Sequence, residues 1–191
     1  MELIEFRVLE LVNTLKSFLG ECKQDLLQAS EIIAEAFSTN SKILICGNGG
    51  SAADSQHFAA EFVSGFSKNI ERKGLPAISL SVDTSIITAY SNDFSYEGIF
   101  ARQVEAYGQT GDVLIVITTS GASKNCIAAV KQAKKMGIKT IALTRKGGKI
   151  AEIVDSSVQV PSTNTQHTQE CHMVAYHLIT EIVEEKLFKK N

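Results

Sequence analysis

The chain has 191 residues, 44% of them hydrophobic and 21% charged, which is enough to bury the core of one α/β domain. A formal net charge of -2 gives no electrostatic basis for binding nucleic acid or an anionic membrane. The four cysteines are scattered without a C-x-x-C pair, and this argues against a disulfide framework or a thiolate zinc site. No apolar run approaches the ~20 residues needed to span a bilayer, and the acidic start MELIEFRVLE is unlike a signal peptide. We therefore expect a cytoplasmic protein.

The first forty residues are predicted to be helical and to lie outside the sheet. Apolar residues alternate by four and three over residues 3–19, which predicts an amphipathic helix with a heptad-like stripe. The stripe consists of Ile4, Val8, Leu11, Leu15 and Phe18. A second helix is expected over about residues 23–37. The stripe could pack on its own domain or on another copy of the chain, and we favour another copy.

A glycine-rich turn follows the first predicted strand, residues 42–46. Residues 47–51 read GNGGS, where glycine permits positive φ and brings backbone N–H groups close to a ligand. The spacing matches neither G-x-G-x-x-G nor G-x-x-x-x-G-K-[ST]. A tight turn and a binding loop therefore both remain open.

The helix after this turn is expected to be capped by Ser51 or Asp54. It carries His57 and Glu61 four residues apart, so the two side chains share one face at about one helical turn, ~5.4 Å. Such a pair is often only a solvated surface pair. On the strand, turn and helix together, the alternative is a binding crevice.

The middle of the chain has weaker signals. Residues 66–73 are predicted to be a polar, basic connection, residues 77–82 the second strand, residues 83–92 a short helix and turn, and residues 96–108 a further helix. Asn92 and Asp93 end the short helix, and a turn that caps a helix is the simplest interpretation of this pair.

The strand predicted over residues 112–117 has the clearest pattern, DVLIVI. It leads into four hydroxyl side chains around one glycine, followed by a helix over residues 124–136. These hydroxyls belong to Thr118, Thr119, Ser120 and Ser123. At the N-terminus of a helix they could surround a phosphate. Capping alone would use only one or two of them, so we favour a phosphate cradle.

Strands over residues 139–144 and 157–160 complete the predicted α/β fold, a parallel sheet of about five strands with helices on both faces. The last helix, residues 165–188, carries Gln169, Met173 and His177 at intervals of four. Histidine, carboxylate and amide ligands on two helices could hold a divalent metal, with zinc the natural candidate. Equally, Glu61 as base and His177 as acid could move a proton between adjacent carbons of a phosphorylated sugar.

Four runs, CGNGGSAADSQHFAAEF, NDF, GDVLIVITTSGAS and QECHMVAYH, occur in an order that resembles the phosphoheptose isomerases. These sugar isomerase (SIS) domain proteins interconvert sedoheptulose 7-phosphate and D-glycero-D-manno-heptose 7-phosphate, which feeds ADP- or GDP-heptose synthesis for lipopolysaccharide or capsule. The resemblance covers residues 42–184. It implies one SIS domain over residues 1–191, with N-terminal helices in 1–40 and the α/β core and C-terminal helix in 42–188, assembled as a homotetramer with sites at subunit interfaces.

The resemblance also implies roles for individual residues. Glu61 would be the base and His177 the acid that move a proton between C1 and C2 through an enediol. One zinc ion per subunit would be held by His57, Glu61, Gln169 and His177. The sugar part of the substrate would contact Glu61 and Gln169. The phosphate group would bind to the four hydroxyls. The other substrate contacts would be Asn48, Gly49, Gly50, Ser51, Asn92 and Asp93.

Two positions depart from the family pattern. Gly65 and His167 stand where family members often carry arginine, and Lys68, Arg72 or His167 could substitute. The rival hypothesis is a non-catalytic tetrameric SIS protein that binds the bacterial replication initiator. Those binders lack the acid and base positions, so Glu61 and His177 favour the enzyme. A sugar-phosphate sensor of the same fold is a third interpretation, which we disfavour because we recognise no DNA-binding segment.

Overall fold

A parallel sheet of five strands forms the centre of the molecule. The structure is a computed structural model and describes residues 2–189. The strand order is β2-β1-β3-β4-β5, with every neighbouring pair parallel. The strands are β1 (Ile43–Gly47), β2 (Ala77–Ser79), β3 (Val113–Thr118), β4 (Lys139–Arg145) and β5 (Ser156–Val160). β1 and β3 are continuous apolar runs because both of their faces are buried.

Helices cover both faces of the sheet. One layer contains α1 (Glu2–Ser38), α2 (Gly50–Ser64) and α6 (Thr165–Phe188). The other contains α3 (Thr84–Asp93), α4 (Ile99–Tyr107) and α5 (Lys124–Lys135). Short 3-10 turns occur at Tyr96–Gly98 and Lys149–Glu152. The predicted fold class is confirmed. Within residues 2–189, no helix combines the length and the apolar character needed to cross a bilayer.

The N-terminal region is one helix of 37 residues, so the prediction of two helices is wrong. Gly20 lies in its interior, where glycine costs about 1 kcal/mol relative to alanine. Two residues later, Cys22 is buried and its thiol donates to the carbonyl of Gln159 on β5 at 3.3 Å. Phe18 and Cys22, on either side of Gly20, are both buried in the core. This packing offsets the cost of the glycine, and the helix continues through it.

The predicted cap of α2 is also wrong. The helix begins at Gly50 with Gly49 as its N-cap, and no side chain caps it. Ser51 and Asp54 lie inside the helix and are buried. Their side chains therefore point into the molecule and do not accept the free N–H groups at the start of α2.

Two other boundaries differ from the prediction. β2 ends at Ser79 instead of residue 82, because the chain turns away to start α3, where the Asp83 carboxylate accepts the N–H of Ile86 at 2.9 Å. The helix predicted over residues 96–108 begins as the 3-10 turn before α4. Ser95 caps that turn by accepting the N–H of Gly98.

Candidate functional site

The crevice lies where β1 and β3 end, at the carboxyl edge of the parallel sheet, where α/β folds bind ligands. Gly49 has φ 57°, in the left-handed region that favours glycine. A Cβ at Gly50 would lie 1.9 Å from Nε2 of Gln169, so the amide of this α6 side chain reaches the glycine turn.

The hydroxyl cradle, residues 118–123, forms one wall of the crevice. Oγ1 of Thr118 lies 3.0 Å from Oγ of Ser123 and 3.3 Å from Oγ of Ser120, which accepts the N–H of Ala122. A cavity of about 100 Å³ lies here. Its lining consists of Asn48, Ser51, Ile117, Thr118, Thr119, Ser120 and Ser123.

The cradle suits an anion although no charged side chain lines it. Ser123 is the N-cap residue of α5, yet its hydroxyl makes no capping bond to the helix. The N–H groups of Lys124 and Asn125 at the start of α5 therefore keep their donor capacity, while that of Cys126 donates to the Asn125 side chain. The helix dipole favours negative charge at this end. This geometry supports the cradle interpretation over simple capping.

The metal-ligand cluster, defined as His57, Glu61 and His177, joins α2 and α6. Nε2 of His57 lies 2.8 Å from Oε1 of Glu61, and the rings of His57 and His177 are 5.1 Å apart. One ligand atom from each of the three residues lies within 4.8 Å of the others. Two imidazoles and a carboxylate are donors that suit zinc, so these side chains fit a divalent metal ion.

Tyr176 orients the cluster from behind. Its hydroxyl is 2.9 Å from Nδ1 of His57. Burial, with the charges of Asp54 and Glu61, raises the pKa of this phenol, so the hydroxyl stays protonated. Burial also lowers the pKa of His177, helped by His57 and opposed by Glu61, which favours the neutral imidazole that a metal ligand requires.

Gln169 on α6 faces the first turns of α2. Its Nε2 is 3.4 Å from Oδ2 of Asp54, a buried carboxyl whose pKa is raised by burial and lowered in part by this amide and by His57. The sequence predicts Asp54 only as a possible cap. Its position three residues before His57 on α2 is the signal that it could lie near the same site residues.

Two further residues missed by the sequence analysis surround Asn48. The amides of Asn48 and Asn125 donate to each other's oxygen at 2.8 Å in both directions, and the hydroxyl of Tyr96 donates to Oδ1 of Asn48 at 2.9 Å. The sequence predicts Asn125 only as part of the first turn of a helix. It predicts Tyr96, two residues after NDF, only as a helix start.

Asn92 and Asp93 lie in the last turn of α3, where both are exposed. The amide of Asn92 donates to Oδ1 of Asp93 at 2.8 Å. The structure does not bring this pair into contact with the cradle or the cluster within the described part of this chain. Their predicted contact with substrate stays a prediction.

The arginine that could replace the missing family arginines is already engaged. Arg72 and Glu184 form a buried ion pair at 2.6 Å, with side chains 2% and 1% exposed. Arg72 also donates to the carbonyls of Glu61 and Phe62 at 3.0 and 2.7 Å. It therefore fixes the last turn of α2 and cannot reach a substrate.

His167 is also engaged: its Nδ1 lies 2.8 Å from Oε2 of Glu170. Lys68, in contrast, is exposed. Of the three side chains that could replace the arginines, only Lys68 has no ion-pair partner within residues 2–189.

Comparison with known proteins places the chain in a family. A model described as "SIS domain" matches residues 8–145. The phosphoheptose isomerase of Nitratiruptor sp. is 48% identical over 186 residues, covering 97% of this chain and 98% of that protein. The phosphoheptose isomerase of Helicobacter pylori strain P12 is 46% identical over 191 residues, covering 100% and 98%. The solved structure of the Neisseria gonorrhoeae phosphoheptose isomerase matches with a TM-score of 0.91 at 38% identity, covering 96% and 98%.

Proposed function

We propose that this chain, which belongs to the SIS-domain family and within it to the phosphoheptose isomerases, converts sedoheptulose 7-phosphate to D-glycero-D-manno-heptose 7-phosphate. As a member of that family it is an aldose-ketose isomerase. The observation that carries the choice of substrate class is the hydroxyl cradle, a neutral, donor-rich cavity suited to a phosphate. Ser51 at the start of α2 lines it, and the same helix carries His57 and Glu61 of the cluster.

In the proposed reaction Glu61 is the general base. Its carboxylate would take the proton from C1 of the ketose and return it to C2, passing through an enediol, while His177 moves the hydroxyl proton between O1 and O2. The base is held in place: Glu61 is on α2, its carboxylate meets His57, and its main-chain carbonyl accepts from Arg72. The cradle residues Thr118, Thr119, Ser120 and Ser123 would bind the phosphate.

The donor set of the cluster supports zinc as a cofactor, one ion per subunit, with His57, Glu61 and His177 as ligands and Gln169 as a fourth. A bound zinc ion would polarise the carbonyl and hydroxyl oxygens of the sugar. The residues of this chain would orient the substrate beside it: Asn48, Gly49, Gly50 and Ser51 from the glycine turn, with Asn92 and Asp93 from α3.

We also propose a homotetramer with sites at subunit interfaces, working in the cytoplasm at the first step of nucleotide-activated heptose synthesis. The support comes from α1. Residues 2–9 of α1 are exposed in the single chain, with Leu3, Ile4 and Leu9 exposed by 66%, 69% and 60%. Exposed apolar patches of this kind mark protein interfaces.

The test is conversion of sedoheptulose 7-phosphate by the purified protein, before and after chelation and with zinc restored. Glu61→Gln is expected to lower kcat by about 10²- to 10⁴-fold, the usual contribution of a general base. Glu71→Gln makes the same chemical change at an exposed loop position and should leave kcat unaltered.

The possible outcomes separate the parts of the proposal. Full turnover by Glu61→Gln would exclude Glu61 as the base. Turnover that survives chelation would exclude a required metal. A folded protein without turnover in any metal condition would exclude this heptulose as the substrate, and would return attention to a binding role.

A further inference from the structure

Asn125 and Tyr96 surround the side chain of Asn48 at the mouth of the cradle. From their contacts we propose that Asn125 and Tyr96 are positioning residues that leave Asn48 with only an N–H donor to offer the phosphate group of the substrate. The inference rests on the proposed function, since it takes the cradle to be a phosphate site.

The orientation of the Asn125 amide is fixed by the main chain. Its Oδ1 accepts the backbone N–H of Cys126 at 3.0 Å, and this identifies which end of the amide is the oxygen. Nδ2 of Asn125 must then be the atom that donates to Oδ1 of Asn48 at 2.8 Å. The return bond, from Nδ2 of Asn48 to Oδ1 of Asn125, also measures 2.8 Å.

The side-chain oxygen of Asn48 is fully used by its neighbours, whereas its side-chain nitrogen is not. An amide oxygen has two acceptor sites and an amide nitrogen two hydrogens. Both acceptor sites of Oδ1 are used, one by Asn125 and one by the Tyr96 hydroxyl at 2.9 Å. One hydrogen of Nδ2 goes to Asn125, and the sulfur of Cys126, at 4.0 Å, is only a weak acceptor for the other. A ligand in the cavity that Asn48 lines therefore meets an N–H and needs an acceptor oxygen.

The hydrogen bonds from Asn125 and Tyr96 fix the position of the Asn48 side chain, which the backbone of the glycine turn alone would leave free to move. Asn48 lies between Gly47 and Gly49, in a turn with little intrinsic rigidity. Asn125 is 4% exposed and belongs to the first turn of α5, so its amide ties the glycine turn to a packed helix. Tyr96 is 55% exposed and adds the second bond from the open side.

Because a phosphate does not change during the isomerisation, its contact with Asn48 is the same in the ground state and the transition state. Losing such a contact raises KM and leaves kcat unchanged. Asn125→Leu, which removes both amide bonds, should raise KM for sedoheptulose 7-phosphate by roughly tenfold. Tyr96→Phe, which frees one acceptor site of Oδ1, should raise it by about threefold.

The experiment measures kcat and KM for these variants and the inhibition constant of inorganic phosphate, with Tyr107→Phe as the matched control at a partly exposed tyrosine. The inhibition constant should rise by the same factor as KM, and circular dichroism should show a folded protein. A fall in kcat at unchanged KM, or no effect of either variant, would overturn the inference.

Inorganic phosphate also separates this inference from the substrate proposal. If the wild-type protein does not turn over the heptulose, the shift in melting temperature caused by phosphate still reports the cradle. A smaller shift in Asn125→Leu and Tyr96→Phe than in Tyr107→Phe would support the positioning role without the substrate. The absence of any phosphate-induced shift in the wild-type protein would overturn it.

Discussion

The hydroxyl cradle and the metal-ligand cluster are built in opposite ways. The cradle comes from six consecutive residues at one strand end, its hydroxyls bond to one another, and no charged side chain lines it. The cluster joins side chains of α2 and α6. These helices meet at the contact between His57 and Tyr176, which are 119 positions apart in the sequence. Every member of the cluster has a titratable side chain. The phosphate binding proposed for the cradle and the proton transfer proposed for the cluster should therefore respond to different substitutions.

The largest difference between the effect on catalysis and the effect on phosphate binding is expected for His177→Ala. Loss of the proposed acid and metal ligand should lower kcat by about 10²- to 10⁴-fold, while the inhibition constant of inorganic phosphate stays the same. Steady-state kinetics provide both quantities. Glu181→Ala, an exposed position one turn further along α6, serves as the control. A parallel loss of phosphate affinity would show that the two regions are not independent.

The next effect concerns stability on the cradle side. His172 is buried on α6 near the end of β4, where Thr144 pairs in register with Thr118. Burial lowers its pKa to about 4, opposed by the backbone of Thr144. The unfolded chain, with an ordinary histidine pKa near 6.5, takes up the proton first as the pH falls. The free energy of unfolding should therefore decrease between about pH 6.5 and 4, by ~3 kcal/mol from this group.

Urea unfolding at several pH values in this range measures that loss, with His172→Leu as the comparison. The variant should have a flatter dependence on pH because it has no imidazole to protonate. Equal slopes for the two proteins would show that His172 does not contribute to the acid sensitivity.

A smaller effect is expected for Tyr176→Phe, which removes the hydroxyl behind His57. Partners of metal-bound histidines typically change metal affinity by 10- to 100-fold when lost. Competition with a chromophoric zinc chelator measures the affinity, and Tyr107→Phe is the control. The phosphate inhibition constant should not change, and an unaltered zinc affinity would count against the cluster as the metal site.

The smallest effect is expected for a substitution in the cradle, Thr118→Val, on KM and the phosphate inhibition constant. Thr118→Val keeps the shape of a buried side chain but removes the hydroxyl that meets Ser120 and Ser123. One neutral hydrogen bond is worth about 1 kcal/mol, so KM and the phosphate inhibition constant should rise about fivefold. Zinc affinity should match that of Thr39→Val, an exposed control outside the cradle. A large loss of kcat instead would place Thr118 in the chemical step.

The contrast also explains what the sequence could predict. The cradle was visible because its residues are adjacent, and the buried strands were visible because their apolar runs are continuous. The pairing of His57 with Glu61 follows from helical spacing alone. That His177 joins them follows only from the resemblance, since spacing within α6 does not say which helix it faces.

Two of the differences arise from contacts between distant segments. α1 packs on distant parts of the chain, as the contact of Cys22 with the backbone of Gln159 across 137 positions shows. Asn125 meets Asn48 across 77 positions. Local propensity describes neither contact, so it predicts a break within α1 and an ordinary helical turn at Asn125.

The split of the cluster between α2 and α6 has a consequence for the order in which the protein matures. During synthesis from the N-terminus at about 5–20 residues per second, the chain carries His57 and Glu61 for on the order of 10 s before His177 is made. The cradle, complete by Ser123, also precedes α6. The residues of the proposed phosphate site are thus synthesised first, and a metal ion offered early would meet only part of the proposed ligand set. Binding of the proposed metal would therefore be a late step, coupled to docking of the last helix.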